Sequence, residues 1–95
     1  MKVRLRARAR RDLDGILDYS IAEHGAAVAT EYLRAIGEAL ERLAVFPELG
    51  APRPDHTPTM RSLPVREHRI FYVLTDRGVS VVRVLHKRMD AARHI

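Results

Sequence analysis

H-R-I-F-Y-V-L at residues 68–74 is followed by T-D-R-G at 75–78 and V-S-V-V-R-V-L-H at 79–86. Both apolar runs are rich in β-branched and aromatic residues, and a short glycine-containing connection between two such runs predicts a β-hairpin. The second run ends in Arg83 and His86, and a basic tail follows at 87–95. This end of the hairpin is either a functional site or simply the place where a strand stops.

The chain has 95 residues, and 46% of them are hydrophobic. A chain of this size buries about 60 to 70% of its unfolded surface, so we expect a single domain over residues 1–95 with a modest core. It contains no cysteine, which rules out disulfides and thiolate metal sites and agrees with an intracellular protein. The basic start lacks a following apolar run, so neither a secretory signal nor a membrane helix is expected, and a cytoplasmic location is predicted.

The charge is distributed unevenly along the chain. Residues 1–11 carry six basic side chains and no acid, residues 12–50 carry eight acids against Arg34 and Arg42, and residues 51–95 are basic again. An acidic middle between basic ends favours an anionic partner, either nucleic acid or an acidic protein segment. All basic residues except Lys2 and Lys87 are arginines, which suit bidentate recognition of phosphate or carboxylate, although genomic base composition produces the same bias.

The first half of the chain predicts a strand and two helices. Strict alternation of apolar and basic residues over 2–10 indicates a half-buried strand, with the arginines on its open face or protecting an edge. After Arg11 the apolar spacing becomes helical, Asp12 and Asp14 suit the first turn of a helix, and Gly25 suits its C-terminal cap. A second helix is predicted from about Ala26 to just before Pro47, and the two helices must fold back on each other as an αα-hairpin.

The second half predicts a loop and three strands. Residues 47–59 hold four of the five prolines and are expected to form a loop. Met60 to Val65 suggests a strand in which Pro64 marks an edge, an end or a bulge, and the hairpin strands follow. The predicted class is therefore α+β, in the order β-α-α-β-β-β with a short terminal helical turn.

Few residues are candidates for catalysis or for metal binding. His56 and His68 fall at predicted loop or turn positions and His94 in the tail, so no metal site and no cofactor are expected. Arg61, Arg69 and Arg83 together with His86 could converge on one sheet face, bind phosphate and move a proton, as in metal-free ribonucleases. However, Arg83 and His86 are three residues apart and point to opposite faces of an ideal strand, so a bulge or the strand end would have to bring them together. The alternative is that Arg83 makes a structural ion pair and His86 ends the strand by hydrogen bonding.

Five segments resemble the RelE/ParE superfamily of bacterial toxins, and ParE in particular. They are A-R-x-D-L-x-x-I-x-x-Y at 9–19, P-E-L-G-x-P-R at 47–53, R-x-L-P-V at 61–65, R-I-F-Y-V-L at 69–74 and R-V-L-H-x-R-M-D-x-x-R-H-I at 83–95. The resemblance implies a helical hairpin packed on a small twisted, mainly antiparallel sheet. It also implies the toxin of a type II toxin-antitoxin system of the plasmid-stabilisation kind, which arrests growth by inhibiting DNA gyrase and is neutralised by a ParD-like antitoxin in a hetero-oligomer.

The same resemblance leaves a second function open, a ribosome-dependent mRNA endoribonuclease of RelE type. His86 matches the position of a catalytic histidine, with Arg83, Arg61 and Arg69 as phosphate ligands. Against this, Lys87 stands where several nucleases have tyrosine, the hairpin strands carry no glutamate base, and the tail resembles ParE. We therefore interpret the protein as an interaction protein rather than an enzyme, with partner contacts expected at the basic residues Arg4, Arg6, Arg61, Arg69, Arg83, Arg88 and Arg93.

Overall fold

The predicted hairpin lies at the centre of a five-stranded sheet in a computed structural model that describes all residues 1–95. The helices are α1 (Ala7–His24), α2 (Ala26–Val45) and α3 (Ala91–His94), and the strands are β1 (Val3–Leu5), β2 (Ala51–Pro52), β3 (Met60–Val65), β4 (His68–Thr75) and β5 (Gly78–His86). The class is α+β, as predicted. None of the three helices combines the length and the apolar character that crossing a membrane requires.

The sheet has the strand order β1-β5-β4-β3-β2, in which β1 runs parallel to β5 and the other pairs are antiparallel. One face packs against α1 and α2 around a main core of 10 buried residues that includes Ile36, Leu43 and Tyr72. The opposite face, which we call the outer face, has a smaller cluster of Met60, Phe71 and Leu85, and Ala91 of α3 packs against it. The two helices therefore cover the sheet on one side, and only α3 lies on the other.

Gly25 joins the two helices, as the sequence predicts. Its φ of 86° lies in the left-handed region that glycine tolerates, and its amide donates to the Ile21 carbonyl at 2.9 Å. Gly25 ends α1 and also precedes the first residue of α2. With a single residue between them, the helices fold back as the predicted αα-hairpin.

The strand predicted over residues 2–10 is wrong beyond Leu5. Pairing with β5 stops when the Arg6 amide donates to the Val81 carbonyl, and α1 begins at Ala7. Ala9 is fully buried in the main core, and Leu13 and Ile16 follow it at helical spacing. Alanine and arginine are good helix formers, so the alternation over 6–10 is a coincidence of composition, and the helical pattern reaches one turn further back than predicted.

The role predicted for Asp12 is also wrong. The first turn of α1 contains no acidic residue, so Asp12 does not act there on the helix dipole. Its carboxylate lies against β5 instead, where Oδ2 accepts a hydrogen bond from the Val84 amide at 2.9 Å. Because β1 ends at Leu5, the edge of β5 would otherwise expose that amide, and Asp12 supplies the acceptor that a longer β1 would have provided.

The proline-rich loop contains a short strand that the sequence does not predict. Ala51 and Pro52 pair with Ser62 and Arg61 of β3. Gly50 begins this segment, and a Cβ at that position would come within 2.8 Å of the Ser62 carbonyl and the Tyr72 ring. Only glycine fits so close to the sheet, and its amide donates to the Tyr72 hydroxyl, which in turn donates to the Pro47 carbonyl.

A β-bulge interrupts the hairpin. Tyr72 lies opposite Val81, but Phe71 lies opposite Arg83, so Val82 is the extra residue on β5. Beyond the bulge every pairing is shifted by one residue, which places Val84 in the main core and His86 opposite His68. Arg83 and His86 still belong to opposite faces, in agreement with the parity argument. His68, predicted as a loop or turn residue, is the first residue of β4.

Candidate partner-binding groove

A groove of about 690 Å³ lies between the two long helices and the end of the hairpin where β4 begins and β5 ends. Its apolar lining is contributed by Ile16, Tyr19, Val28, Tyr32, Val84, Leu85 and Met89. Tyr19 is 68% exposed and Val28 52% exposed, although both are residues that a folded chain usually covers. We call this cavity the α1–sheet groove.

Three polar side chains form a row in the α1–sheet groove. The hydroxyl of Tyr32, on α2, lies 2.6 Å from Nδ1 of His68 and accepts a hydrogen bond from the Glu67 amide at 3.1 Å. The ring of His68 lies edge-to-face with that of its cross-strand partner His86, with 5.2 Å between the ring centroids. Nδ1 of His86 accepts a hydrogen bond from the Arg88 amide at 3.1 Å.

The environment of the row keeps His68 neutral at physiological pH. Burial is the main cause that lowers the pKa of His68, and the neighbouring His86 lowers it further, while Glu67 and Asp12 oppose the change. Burial also raises the pKa of Tyr32. Tyr32 and His68 therefore present uncharged, hydrogen-bonded groups within an apolar lining.

Charged residues surround the row. Arg11, Asp12, His24 and Glu67 line the α1–sheet groove. The Glu67 carboxylate lies 2.5 Å from Lys87 Nζ, and this hydrogen bond lowers the pKa of Glu67. Arg66 pairs with Glu31 at 2.9 Å. Both acids beside the histidines are thus already paired, Glu67 with Lys87 and Asp12 with Arg83.

Arg83 is bound within the fold. Its Nε and Nη2 donate to the two carboxylate oxygens of Asp12 at 2.7 and 2.8 Å, and its Nη1 donates to the His94 carbonyl at 2.6 Å. The side chains of Arg83 and Asp12 are only 10% and 14% exposed, and the hydrogen bonds that Arg83 donates to Asp12 raise the pKa of Arg83. Of the two alternatives for Arg83, the structural ion pair is the one present. His86 likewise closes β5 through its hydrogen bond with Arg88.

The four residues predicted to converge do not do so. Arg61 lies opposite Tyr72 and donates to the carbonyls of Glu48 and Gly50 at 3.1 and 2.7 Å. Tyr72 is four residues from His68, the cross-strand partner of His86, which corresponds to about 13 Å along a strand. Arg69 lies opposite Leu85 on the outer face and has no ion-pair partner in the chain.

The remaining predicted partner-contact arginines are dispersed. Arg4 of β1 and Arg6, which follows the strand, are exposed, and Nε of Arg6 donates to the Ser80 hydroxyl at 2.9 Å. Arg6 and Arg83 share a second cavity of about 660 Å³ on the outer face, which Arg8 also lines. Arg88 follows β5, and Arg93 of α3 lies 3.7 Å from Asp90.

The model of a family described as the ParE toxin of the type II toxin-antitoxin system parDE matches residues 3–91. The chain belongs to the ParE toxin family. Curated ParE proteins are also similar to it along nearly their whole length. Toxin ParE1 of Mycobacterium tuberculosis is 36% identical over 88 residues, which cover 92% of this chain and 90% of that protein. Toxin ParE1 of Caulobacter vibrioides is 35% identical over 92 residues, covering 97% and 95% of the two chains.

Two solved structures share the ParE-type fold. A chromosomal ParDE system from P. aeruginosa superposes with a TM-score of 0.79 and 23% identity over 90% of this chain and 95% of the other. The RelBE2 toxin-antitoxin complex of Mycobacterium tuberculosis gives a TM-score of 0.64 and 24% identity over 90% and 96%. These likenesses confirm the fold that the resemblance implies.

Sequence reasoning missed Tyr32 and His68 as residues of the groove in this ParE-family protein. Counting outward from the turn, where Thr75 pairs with Gly78, would place His68 opposite Leu85. The bulge at Val82 moves His86 into that position. No residue in the sequence marks the bulge, so the pairing of the two histidines becomes visible only in the fold.

Proposed function

We propose that this chain is the toxin of a toxin-antitoxin pair, that it inhibits DNA gyrase, and that a ParD-like antitoxin neutralises it by binding in the α1–sheet groove. The observation that carries the choice of target is the state of Arg83. A nuclease would need this guanidinium for a phosphate, but Asp12 and the His94 carbonyl occupy its Nε, Nη1 and Nη2. Two observations favour inhibition by binding over RNA cleavage. The chain belongs to the ParE family, and the guanidinium of Arg83 is already hydrogen-bonded within the fold.

The α1–sheet groove is the surface that we assign to the antitoxin. It leaves Tyr19 and Val28 exposed next to half-buried Ile16, which suits the apolar face of an amphipathic helix. The chain carries a formal net charge of +5, so an acidic segment would be attracted to it. Hetero-oligomer formation in the cytoplasm is part of this proposal.

Expression of the chain alone in bacteria tests the target. We expect growth arrest with filamentation and induction of the DNA-damage response, and purified protein should inhibit DNA supercoiling by gyrase. Rapid arrest of translation without DNA damage would instead support the endoribonuclease alternative.

Replacing His86 separates the two functions at one position. The endoribonuclease alternative uses His86 as general acid, so His86→Ala should then abolish toxicity while the protein stays folded. On our proposal, His86→Ala remains toxic, because no proton transfer takes place. Circular dichroism of the purified variant shows whether any loss of toxicity comes from unfolding.

Introducing a negative charge into the groove tests the antitoxin contact. Val28→Glu places a carboxylate on an exposed position of the groove, so it should repel an acidic segment and leave the core unchanged. We expect loss of co-purification with the antitoxin encoded by the neighbouring reading frame. Thr30→Glu is the matched control, since Thr30 is exposed on the same helix but does not line the groove. Equal loss in both variants would rule out the groove as the specific contact.

A further inference from the structure

We propose that His68 and His86 together bind one carboxylate side chain of the segment that occupies the α1–sheet groove, each through its Nε2–H. This inference rests on the proposed function, because it names the chemistry that an antitoxin residue must present at this point. Each ring makes a hydrogen bond at Nδ1, which leaves its Nε2 available to a partner.

The proton of neutral His68 is on Nε2. The Tyr32 hydroxyl accepts the hydrogen bond from the Glu67 amide, because a backbone N–H can only donate. We assign the single hydroxyl hydrogen of Tyr32 to the hydrogen bond with His68 Nδ1, 2.6 Å away. Nδ1 is then an acceptor, so the ring must carry its hydrogen on Nε2.

The proton of neutral His86 is on Nε2 for the same kind of reason. The amide of Arg88 donates to His86 Nδ1 at 3.1 Å, which makes Nδ1 an acceptor. Neither Nε2 has a hydrogen-bond partner in the chain, and both histidines line the groove. Two Nε2–H donors thus belong to neighbouring rings, which lie edge-to-face with 5.2 Å between their centroids.

These donors need an acceptor once the groove is filled. A partner that covers them with apolar side chains would leave two N–H groups buried and unpaired, which weakens binding. The nearby acids of the chain are engaged elsewhere, Glu67 with Lys87 and Asp12 with Arg83. The acceptor must therefore come from the partner, and a carboxylate is favoured because its two oxygens can accept from both rings.

The charged and titratable groups around the pair come from both helices, from β4 and from the residues that follow β5. They are Arg11, Asp12, Tyr19 and His24 of α1, Glu31 and Tyr32 of α2, Arg66 and Glu67 before β4, and Lys87 and Arg88 after β5. Since both nearest acids are neutralised by their own partners, the field at the pair does not repel an anion. Arg11 and Arg88 have no ion-pair partner in the chain and add attraction from the rim.

Binding of a carboxylate changes the affinity with pH in a direction that can be measured. A carboxylate beside His68 raises the pKa of that histidine on binding, so affinity increases as the pH falls. An apolar cover would bury His68 further and lower its pKa, so affinity would decrease as the pH falls. A rise of one unit on binding corresponds to affinity about tenfold higher at the acid end of the range.

The experiment uses the full-length chain and a synthetic peptide that corresponds to the acidic C-terminal half of the antitoxin from the neighbouring reading frame. Affinity is measured by calorimetry at about pH 8 and about pH 5.5, which bracket the ordinary pKa of histidine. We expect three- to tenfold tighter binding at the lower pH, roughly the effect of half to one unit of pKa change. The imidazole resonances of His68 should show by NMR that its pKa is higher in the complex than in the free chain.

Substitutions test whether the pH dependence of affinity comes from His68 and His86. Replacing both rings, as His68→Gln together with His86→Gln, leaves nothing in the pair that can take up a proton, so the tightening at low pH should disappear. His94→Gln is the matched control, because His94 lies on α3 and does not line the groove, and it should keep the full pH dependence. Replacing the glutamates of the peptide by glutamine one at a time should abolish the pH dependence at a single position.

The possible outcomes are distinct. Binding that weakens or stays constant toward low pH, or a pKa of His68 that falls on binding, would overturn the carboxylate site and leave the antitoxin groove standing. Absence of any complex between the chain and the intact antitoxin would overturn the proposed function, and this inference with it.

Discussion

Arg83 and His86 are three residues apart on β5, yet one is bound within the fold and the other is open to a partner. Arg83 uses its Nε, Nη1 and Nη2 on Asp12 and the His94 carbonyl. His86 uses Nδ1 to close the strand and keeps Nε2 without a partner. The comparison shows that a residue type does not define a site. What matters is whether the polar atoms of the side chain are still available after folding.

The ion pair of Arg83 can be broken by removing Asp12, and this substitution should have the largest effect on stability. Asp12→Ala leaves Arg83 nearly buried and without its counter-charge and frees the Val84 amide, so we expect a loss of about 3–5 kcal/mol in the free energy of unfolding. Urea denaturation of the purified chain measures it. Arg34→Ala, which removes a well-exposed arginine paired with Glu31 and Glu38, is the control and should cost less than about 1 kcal/mol. An equal effect of the two substitutions would contradict the structural role of Asp12.

Replacing Tyr72 should have an intermediate effect on stability. The Tyr72 hydroxyl both accepts and donates a hydrogen bond within the fold, whereas the Nε2 atoms of the histidine row have no partner. Tyr72→Phe leaves the Gly50 amide and the Pro47 carbonyl without their partner, and the expected loss is about 1–3 kcal/mol in unfolding free energy. Thermal unfolding followed by circular dichroism measures the change. If the variant unfolds at the temperature of the parent chain, water replaces the hydroxyl and the loop 47–52 is not held by it.

The smallest expected effect concerns pH. Burial lowers the pKa of His68 below its ordinary value of 6.5, so the unfolded chain takes up this proton at a higher pH than the folded chain does. Stability should therefore fall as the pH drops below about 6.5, by well under 1 kcal/mol because solvent screens a partly exposed ring. His68→Gln should flatten this dependence and His94→Gln should not, as judged from melting temperatures between pH 7.5 and 5. Identical profiles for the two variants would contradict the assignment to His68.

Most of the fold follows from local patterns in the sequence. The hairpin, the helical pair joined at Gly25 and the strand with Pro64 near its end are all confirmed. The errors lie where a local pattern has two meanings. Alternating alanine and arginine over 6–10 suits a strand as well as a helix, and only the packing of Ala9 in the core decides between them.

The groove could be predicted less well than the fold. Arg83 and His86 were recognisable as the end of a strand, but the partners of their polar atoms come from residues distant in sequence. Asp12 is 71 positions from Arg83, and Tyr32 is 36 positions from His68. The register that aligns the two histidines depends on one extra residue, Val82, whose apolar side chain suits either face of the sheet.

The hydrogen bond from Arg83 to α3 has a consequence for how this protein can change over evolution. Arg83 contacts the main-chain carbonyl of His94 and not its imidazole, and every residue type has that carbonyl. The exposed side chains of α3, Ala92 and Arg93, can therefore be exchanged while the segment keeps its attachment to the sheet. Selection can act on the exposed surface of such a segment without disturbing the framework that holds it.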